Sequence, residues 1–567
     1  MGASKRLKNC IGGFTMNKNK KFLLLTVLAV FSLVLAACGF GGDSSDKSKD
    51  DSKDSGSTET SSSGGELNLV VASEPPSLHP GLATDTTSSA ILTNVFENLT
   101  TLDADAKPVA AAASDWKISD DQKTYTFTLR DNKWSNGDPV TAGDFEYAWK
   151  WALNPDNLSE YASIFFPIKG AAAYNEGTGS ADEVGIKAED DKTLVVTLEN
   201  PTPYFLELTA FKTYAPLNQK VIEGNENWYT DAGDDYVTNG PFTLGEWRHN
   251  DTIVLKKNPE YWDADKVSLE TVNIGMVESE TTAATMFKAG EISYLGAPYQ
   301  SVALDVIDEF KADGSLNIAD QASVYVYKLN TKDKITGNAN IRKALTLAMD
   351  RQGLIDNITK GEQKPALGMV PIAVSGFEED RGYFKDHDIE GAKAALEAGM
   401  QELGIKDPSE ITVNISFNTS EAHAAIAQFI QESWTKNLGI KVGLDNSEWQ
   451  VYLEKLNQLD YQAGRLGWVG DYNDAYTFLE MYDTADNGNN DTGWENPEYK
   501  KLLDQSNLET DPAKRLELLK QAEALIMSEF PVAPIYYYTN LSVVQDNVKN
   551  MQADVLGNIP LKEVVVE

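Results

Sequence analysis

Apolar positions recur at two different periods along this chain, and the two interleave from one end of the body to the other. Alternation at a period of two predicts half-buried strands. It is clearest in Thr124-Tyr125-Thr126-Phe127-Thr128-Leu129 and returns in Lys192 to Leu198. Leu67 to Val71, Thr252 to Leu255, Val324 to Leu329 and Ile535 to Tyr538 are apolar enough to read as strands as well. Pro75-Pro76 ends the first of these, and Asn239-Gly240-Pro241 makes a turn before Phe242 to Trp247. Helical spacing appears in Phe145, Ala148, Trp149 and Ala152, preceded by Thr141 and Asp144 in the arrangement of a capping box. Ile341, Ala344, Leu345, Ala348 and Met349 form a second stripe. Ile426, Phe429, Ile430 and Trp434 form a third, closed by Gly439 as a C-cap. Asp511-Pro512 opens a late helix with Asp at the N-cap and Pro at the first helical position, and Leu519, Ala522 and Ile526 line its face. No repeat of 20–50 residues runs through the chain. The pattern predicts a mixed α/β or α+β body.

The first 65 residues read differently. Lys18, Lys20 and Lys21 precede Phe22 to Ala37, an uncharged apolar run shorter than the roughly 20 residues a membrane span needs. The run ends in Leu35-Ala36-Ala37-Cys38. A basic flank, an apolar core and this ending predict a secretory signal over 1–37 and a bacterial lipobox whose Cys38 thiol takes a diacylglyceryl group. Met16 stands just before the basic flank, so 1–15 reads as an upstream extension. Gly39 to Gly65 is rich in Ser, Gly, Asp and Lys, with Phe40 its one large apolar residue. Such a stretch buries too little to fold, and reads as a tether reaching roughly 30 Å. With Cys10 removed and Cys38 acylated, the rest of the chain has no thiol, disulfide or Cys metal site.

Charge and length narrow the function. A chain of 567 residues at net charge -37 excludes a phosphate-binding, nucleic-acid role and is long enough for several domains. Processing at Cys38 makes the balance more negative, because the segment removed contains Lys and Arg but no Asp or Glu. Catalytic signatures are missing. The four histidines, at 79, 249, 387 and 423, sit far apart, and no Gly-x-Ser-x-Gly elbow or phosphate loop occurs. Gly177-Thr178-Gly179 lacks the third glycine of a dinucleotide turn. The acidic stretch Asp483 to Glu495 invites a calcium reading, but Ala485 occupies the third position of the EF-hand frame, and a solvated polar loop is expected instead. No metal, cofactor or catalytic residue is assigned.

One stretch carries candidate chemistry: Gly467-Trp468-Val469-Gly470-Asp471-Tyr472-Asn473-Asp474. A single carboxylate, Asp471, stands among aromatics and glycines. Glycines let another backbone approach, aromatic faces cover a ligand, and a carboxylate in such a setting needs a cation. On spacing alone a surface turn with one packed Trp is the simpler reading.

Three further stretches change that balance. They are Leu129 to Lys150 (LRDNKWSNGDPVTAGDFEYAWK), Asn239 to Asp263 (NGPFTLGEWRHNDTIVLKKNPEYWD) and Leu329 to Arg351, with its ANIRKAL and AMDR segments. Together with Gly467 to Asp474 they resemble family 5 solute-binding proteins of ABC importers, and within that family the oligopeptide binders. The resemblance implies an α/β, periplasmic-binding-protein-like fold of type II, with a two-lobed cleft and an additional third domain. Domain I would comprise 66–98, 217–323 and 540–567, domain II 99–216, and domain III 324–539. Domains I and III would close on a hinge where two strands cross near 323 and 539.

By the same resemblance Asp471 matches the carboxylate that holds a peptide's α-ammonium. Gly467, Trp468 and Val469 match a segment whose main chain pairs with an extended peptide, and Thr84, Asp85 and Thr86 match one on the opposite lobe. Arg465 and His423 match positions that meet a peptide's C-terminal carboxylate. Trp449, Tyr161 and Tyr538 match aromatics lining the cleft. Thr359, with Lys360 beside it, stands where related enteric proteins place a lysine for longer peptides. The implied protein is a non-enzymatic receptor, lipid-anchored on the outer face of a Gram-positive cell and acting as a monomer. It delivers oligopeptides to an ABC permease. Two alternatives are an anchored hydrolase and the same fold holding another solute, such as a dipeptide, a murein or signalling peptide, a nickel chelate, haem or an oligosaccharide.

Overall fold

The computed structural model of the protein describes residues 65–103, 106–377 and 380–567. The expected signal core, Cys38 and the tether up to residue 64 lie outside the described residues.

Glu66–Val71 pairs in parallel with Thr271–Met276, and Thr252–Lys257 and Phe242–Arg248 extend that sheet antiparallel. Alternation sends Leu67, Leu69, Ile253 and Leu255 into the core. A second four-stranded sheet runs in the order Ala113–Ile118, Thr124–Leu129, Thr193–Thr197, Ile186–Asp190. The helix Ala142–Leu153 packs on it through Phe145, Ala148, Trp149 and Ala152, all buried. Its first turn is fixed as the sequence predicts: the Asp144 carboxylate accepts the Thr141 backbone N–H at 2.8 Å. The Trp149 indole donates to the Tyr214 carbonyl at 2.8 Å, so a large side chain is buried without losing its hydrogen bond.

The third sheet is built around two strands of 13 residues, Asn317–Leu329 and Val532–Val544. Its order is Tyr294–Gly296, Val532–Val544, Asn317–Leu329, Ala463–Val469, Thr412–Asn418, Lys441–Ser447, with Lys364–Pro365 added to the long strand. Both long strands exceed the predicted Val324 to Leu329 and Ile535 to Tyr538. The extensions pair with each other, Ile318 opposite Leu541 and Ala319 opposite Asn540, but Asn317, Ala319 and Asp320 are exposed. A strand held by backbone pairing with solvated side chains leaves no apolar period to read. Between the two paired halves the register slips, Gln321 to Ser323 facing only Tyr538.

Helices Ala339–Leu347, Ile389–Leu403 and Glu421–Leu438 pack over this sheet around Ile341, Leu345, Ile430 and Trp434. The Trp434 indole donates to the Leu345 carbonyl at 2.9 Å. Gly439 closes its helix at φ 70°, the left-handed position expected there. A separate core joins the first two sheets, from Leu67 to Ile274, and reaches Trp468 and Tyr472. The body is therefore mixed α/β, with sheets of distinct topology and two large cores.

The stretch 483–495 departs from expectation. Asn490 and Thr492 are fully buried, and the Asn490 side chain bonds the carbonyls of Thr484 and Trp494 at 2.6 and 2.9 Å. Lys328, itself buried, reaches the Asn489 carbonyl at 2.7 Å and the Asp491 carboxylate at 2.6 Å. An internal cation organises the loop, so its 490–494 part is largely buried and cross-linked, while Asp486 and Glu495 stay exposed. Among the described residues no cluster of His, Cys, Asp or Glu is arranged to hold a metal, and no helix is long and apolar enough to cross a membrane.

Candidate functional site

A cavity of about 650 Å³ opens between these elements. Thr84, Asp85, Thr86, Tyr161, His423, Trp449, Arg465, Gly467, Trp468, Val469, Asp471 and Tyr538 all line it. The structure thus brings together every cleft residue the sequence suggests, from segments as far apart in the chain as Thr84 and Tyr538.

The strand Ala463–Val469 forms one wall. On one side it pairs with Asn317–Leu329 along its whole length, Arg465 opposite Tyr327 and Trp468 opposite Val324. On the other side it pairs with Thr412–Asn418 only at Ala463 and Gly464. From Arg465 onward that second edge has no strand partner among the described residues, and of its groups the Arg465 carbonyl already accepts the Tyr452 hydroxyl at 2.7 Å. An edge of free N–H and C=O groups is what an extended chain adds to. Gly467 belongs here for a steric reason: a Cβ would come within 2.8 Å of the Tyr538 hydroxyl. That hydroxyl is 3.1 Å from a guanidinium nitrogen of Arg465.

Asp471 sits just past the strand, where the chain turns away. Its Oδ1 accepts from the Tyr161 hydroxyl at 3.3 Å, and its backbone N–H donates to Thr477 Oγ1 at 3.1 Å. Burial pushes its carboxyl up to about 7, against the pull of Lys212 and of hydrogen bonds from Tyr161 and Thr477. Among the described residues it has no ion-pair partner within 4 Å. Lys212 is the cation whose charge acts on it, buried on the cavity wall over the rings of Tyr161 and Phe211 at 4.5 and 4.0 Å. Burial lowers its ammonium to about 8, opposed by Asp471 and Asp85. The sequence reading missed Lys212. Its signal was a lone lysine among Ala210, Phe211, Tyr214 and Ala215.

Arg465 is the complementary charge. It bonds the Asn418 side-chain oxygen at 3.1 Å and lies 5.0 Å from the Tyr325 ring centre, and no carboxylate lies within ion-pair distance among the described residues. Its Nε is buried without a partner, as are the indole nitrogens of Trp449 and Trp468. His423 lies in the first turn of its helix, edge-on to Tyr325, with Nδ1 3.4 Å from the Tyr325 hydroxyl. Burial, and then the Arg465 charge, hold its imidazole well below the ordinary range, so it is neutral near pH 7.

Other positions play structural parts as well. Asp85 caps the helix Thr86–Val95, its carboxylate taking the Ser88 backbone N–H at 3.0 Å and hydroxyl at 2.6 Å. Thr359 reaches the cavity but bonds Gln363 at 2.9 Å. Its neighbour Lys360 pairs with Asp308 at 2.5 Å and does not line the cavity, so it does not replace the lysine absent at 359.

A cavity with an acidic and a basic side chain on one wall and a strand edge between them has the geometry of a binding protein. The model for "Bacterial extracellular solute-binding proteins, family 5 Middle" matches residues 107–490, and the chain belongs to that family. Members are the substrate-binding components of ABC importers, not enzymes. The chain is 52% identical over 536 residues to the oligopeptide-binding protein OppA of Bacillus subtilis, covering 94% of this chain and 97% of that one. The structure of Listeria monocytogenes OppA bound to peptide superposes with a TM-score of 0.81 at 32% identity, over 88% of this chain and 99% of that one. The unliganded open form of the murein tripeptide-binding protein MppA covers the same share of this chain and 97% of its own, at 30% identity, yet reaches only 0.60.

Proposed function

We propose that this protein captures oligopeptides with a free N-terminus in the cavity and delivers them to an ABC permease. The observation that carries the reading is the placement of Asp471 and Arg465. Both border one strand with an unpaired edge, six positions apart, and neither is neutralised at contact distance among the described residues. A peptide laid along that edge gives its α-ammonium to Asp471, its main chain to Gly467–Val469 and its carboxylate to the side of Arg465 and His423. Affinity then comes from main-chain bonds and leaves most side chains unread. Three domains, 66–98 with 217–323 and 540–567, then 99–216 and 324–539, would close around the peptide on the slipped register between Gln321–Ser323 and Tyr538. The better superposition on a peptide-bound relative than on an open one supports reading this arrangement as closed.

Calorimetry with unblocked, N-acetylated and sequence-scrambled peptides tests the capture reading. Unblocked peptides of one length are expected to bind within about two decades of each other, roughly 3 kcal/mol. N-acetylated ones are expected to bind poorly. Binding of one peptide and none of its scrambled relatives would instead mark a dedicated receptor for a signal. Recovery of the peptide in pieces would mark a hydrolase. The basic flank, apolar core and Leu35-Ala36-Ala37-Cys38 support an acyl anchor on the outer face of a Gram-positive membrane. Two acyl chains at roughly 0.8 kcal/mol per buried methylene suffice for stable attachment. Cys38→Ala is expected to accumulate as unprocessed precursor without lipid label, and a processed, labelled variant would overturn the anchor.

A further inference from the structure

Two helices meet end to end beside the cavity wall that carries His423. Glu280–Lys288 follows the strand Thr271–Met276 of the first sheet, and Glu421–Leu438 follows Thr412–Asn418 of the third. Each begins with a glutamate, and each glutamate serves the other helix. Glu280 accepts the Ser420 hydroxyl at 2.5 Å and the Ala422 backbone N–H at 3.2 Å. Glu421 accepts the Ser279 hydroxyl at 2.9 Å, the Thr281 N–H at 3.1 Å and the Thr281 hydroxyl at 2.6 Å. The caps are exchanged between segments 140 residues apart.

Two helix N-termini brought together would repel, because each carries partial positive charge and unpaired N–H groups. The exchanged carboxylates turn that repulsion into charge-assisted hydrogen bonds. Neither helix needs the exchange in order to form. Ser279 already accepts the Thr282 N–H at 3.1 Å, and Ser420 the His423 N–H at 3.1 Å. The exchanged bonds therefore act where the two halves meet. They also touch the proposed site, because Ser420 caps the turn that places His423 on the cavity wall.

We propose that Glu280 and Glu421 form a reciprocal latch that holds the two halves together and slows the release of bound peptide. The idea rests on the capture reading for its ligand but not for its geometry. Glu280 and Glu421 are positioning residues, since neither lines the cavity. In a two-state cleft, bonds present only when the halves meet shift the population toward the closed form and act mainly on the off-rate.

The test uses the whole chain and two measurements. The first is the release rate of unblocked tetra-alanine. The second is the distance between spin labels at Thr285→Cys and Glu432→Cys, one on each helix, by pulsed electron resonance. Glu280→Ala/Glu421→Ala is expected to release peptide about tenfold faster at nearly unchanged association rate and melting temperature. Its label distances are expected to spread to longer values. The Glu→Gln pair should fall between, since the amide keeps an acceptor but not the charge. Each single Ala variant should give most of the effect, because a one-sided exchange leaves the facing N-termini uncompensated. Unchanged release and unchanged distances in the double variant would overturn the latch. If the unmodified chain does not bind tetra-alanine or any other unblocked peptide, the capture reading fails, and the distance measurement still decides the latch.

Discussion

Asp471 has two requirements that pull against each other: shelter from water, and readiness to be ionised when a cation arrives. Shelter wins in the closed arrangement, where burial lifts its carboxyl to about 7. A bound α-ammonium favours the ionised form, so closing on a peptide at a pH where the carboxyl of the open protein is protonated must expel a proton. Affinity is expected to fall at acid pH, approaching about tenfold per unit once the carboxyl of the open protein is protonated, and to fall again above about 8, where a peptide's own α-amino group loses its charge. Asp471→Asn should abolish the acid limb. It should also weaken binding of unblocked peptides by about two to four decades, since stripping one partner from a desolvated pair costs about 3–5 kcal/mol. Calorimetry between pH 5 and 9 checks both, and wild-type affinity in Asp471→Asn would make the carboxylate structural. The aromatic and glycine setting of Asp471 was readable from the sequence. Its dependence on Lys212, Tyr161 and Thr477 was not, because those contacts join residues up to 310 positions apart.

At the scale of elements, the sequence reports what side chains bury and is blind to what backbones and internal charges hold. The helix Ala142–Leu153 was legible because its apolar stripe and its Asp144 cap agree. The strand end Asn317–Asp320 was not, since its exposed side chains leave only main-chain pairing to hold it, and Thr539–Val544 was not, since buried Thr539 and Asn540 interrupt the apolar run before Leu541 and Val543. The loop 483–495 looked solvated because its composition is polar, whereas Lys328 anchors it from within. Their side chains are 1% and 9% exposed for Lys328 and Asp491, so Lys328→Met strands a sheltered carboxylate. A loss of about 3–5 kcal/mol in urea unfolding is expected, with faster hydrogen exchange across 484–494. Lys328→Met/Asp491→Asn should recover much of it, because removing the carboxylate's charge as well removes the desolvation cost, and Asn tolerates the left-handed backbone at 491, φ 49°. A single variant as stable as the parent would mean that the asparagine network alone holds the loop.

At the scale of the molecule, the fold joins its parts through the two long strands, whose register slips between Asp320 and Val324. If that slip is the hinge proposed above, a ligand moves it only by touching more in one arrangement than in the other. Here the proposed contacts lie on separate segments, Thr84–Thr86 on one side and Gly467–Asp471 on the other, so a peptide is held by both only when they are close. Small-angle scattering is therefore expected to give a smaller radius of gyration with unblocked peptide than without. Amides of 321–323 should exchange more slowly in the same samples. N-acetylated peptide at the same concentration should leave both unchanged, because it lacks the charge that anchors one end. Asp471→Asn should reach the same compact end point at a peptide concentration two to four decades higher, since the substitution weakens the contact without altering the hinge. A radius unchanged at saturating peptide would mean that the body does not close on its ligand. The slipped register at 321–323 would then be a fixed bend in the sheet.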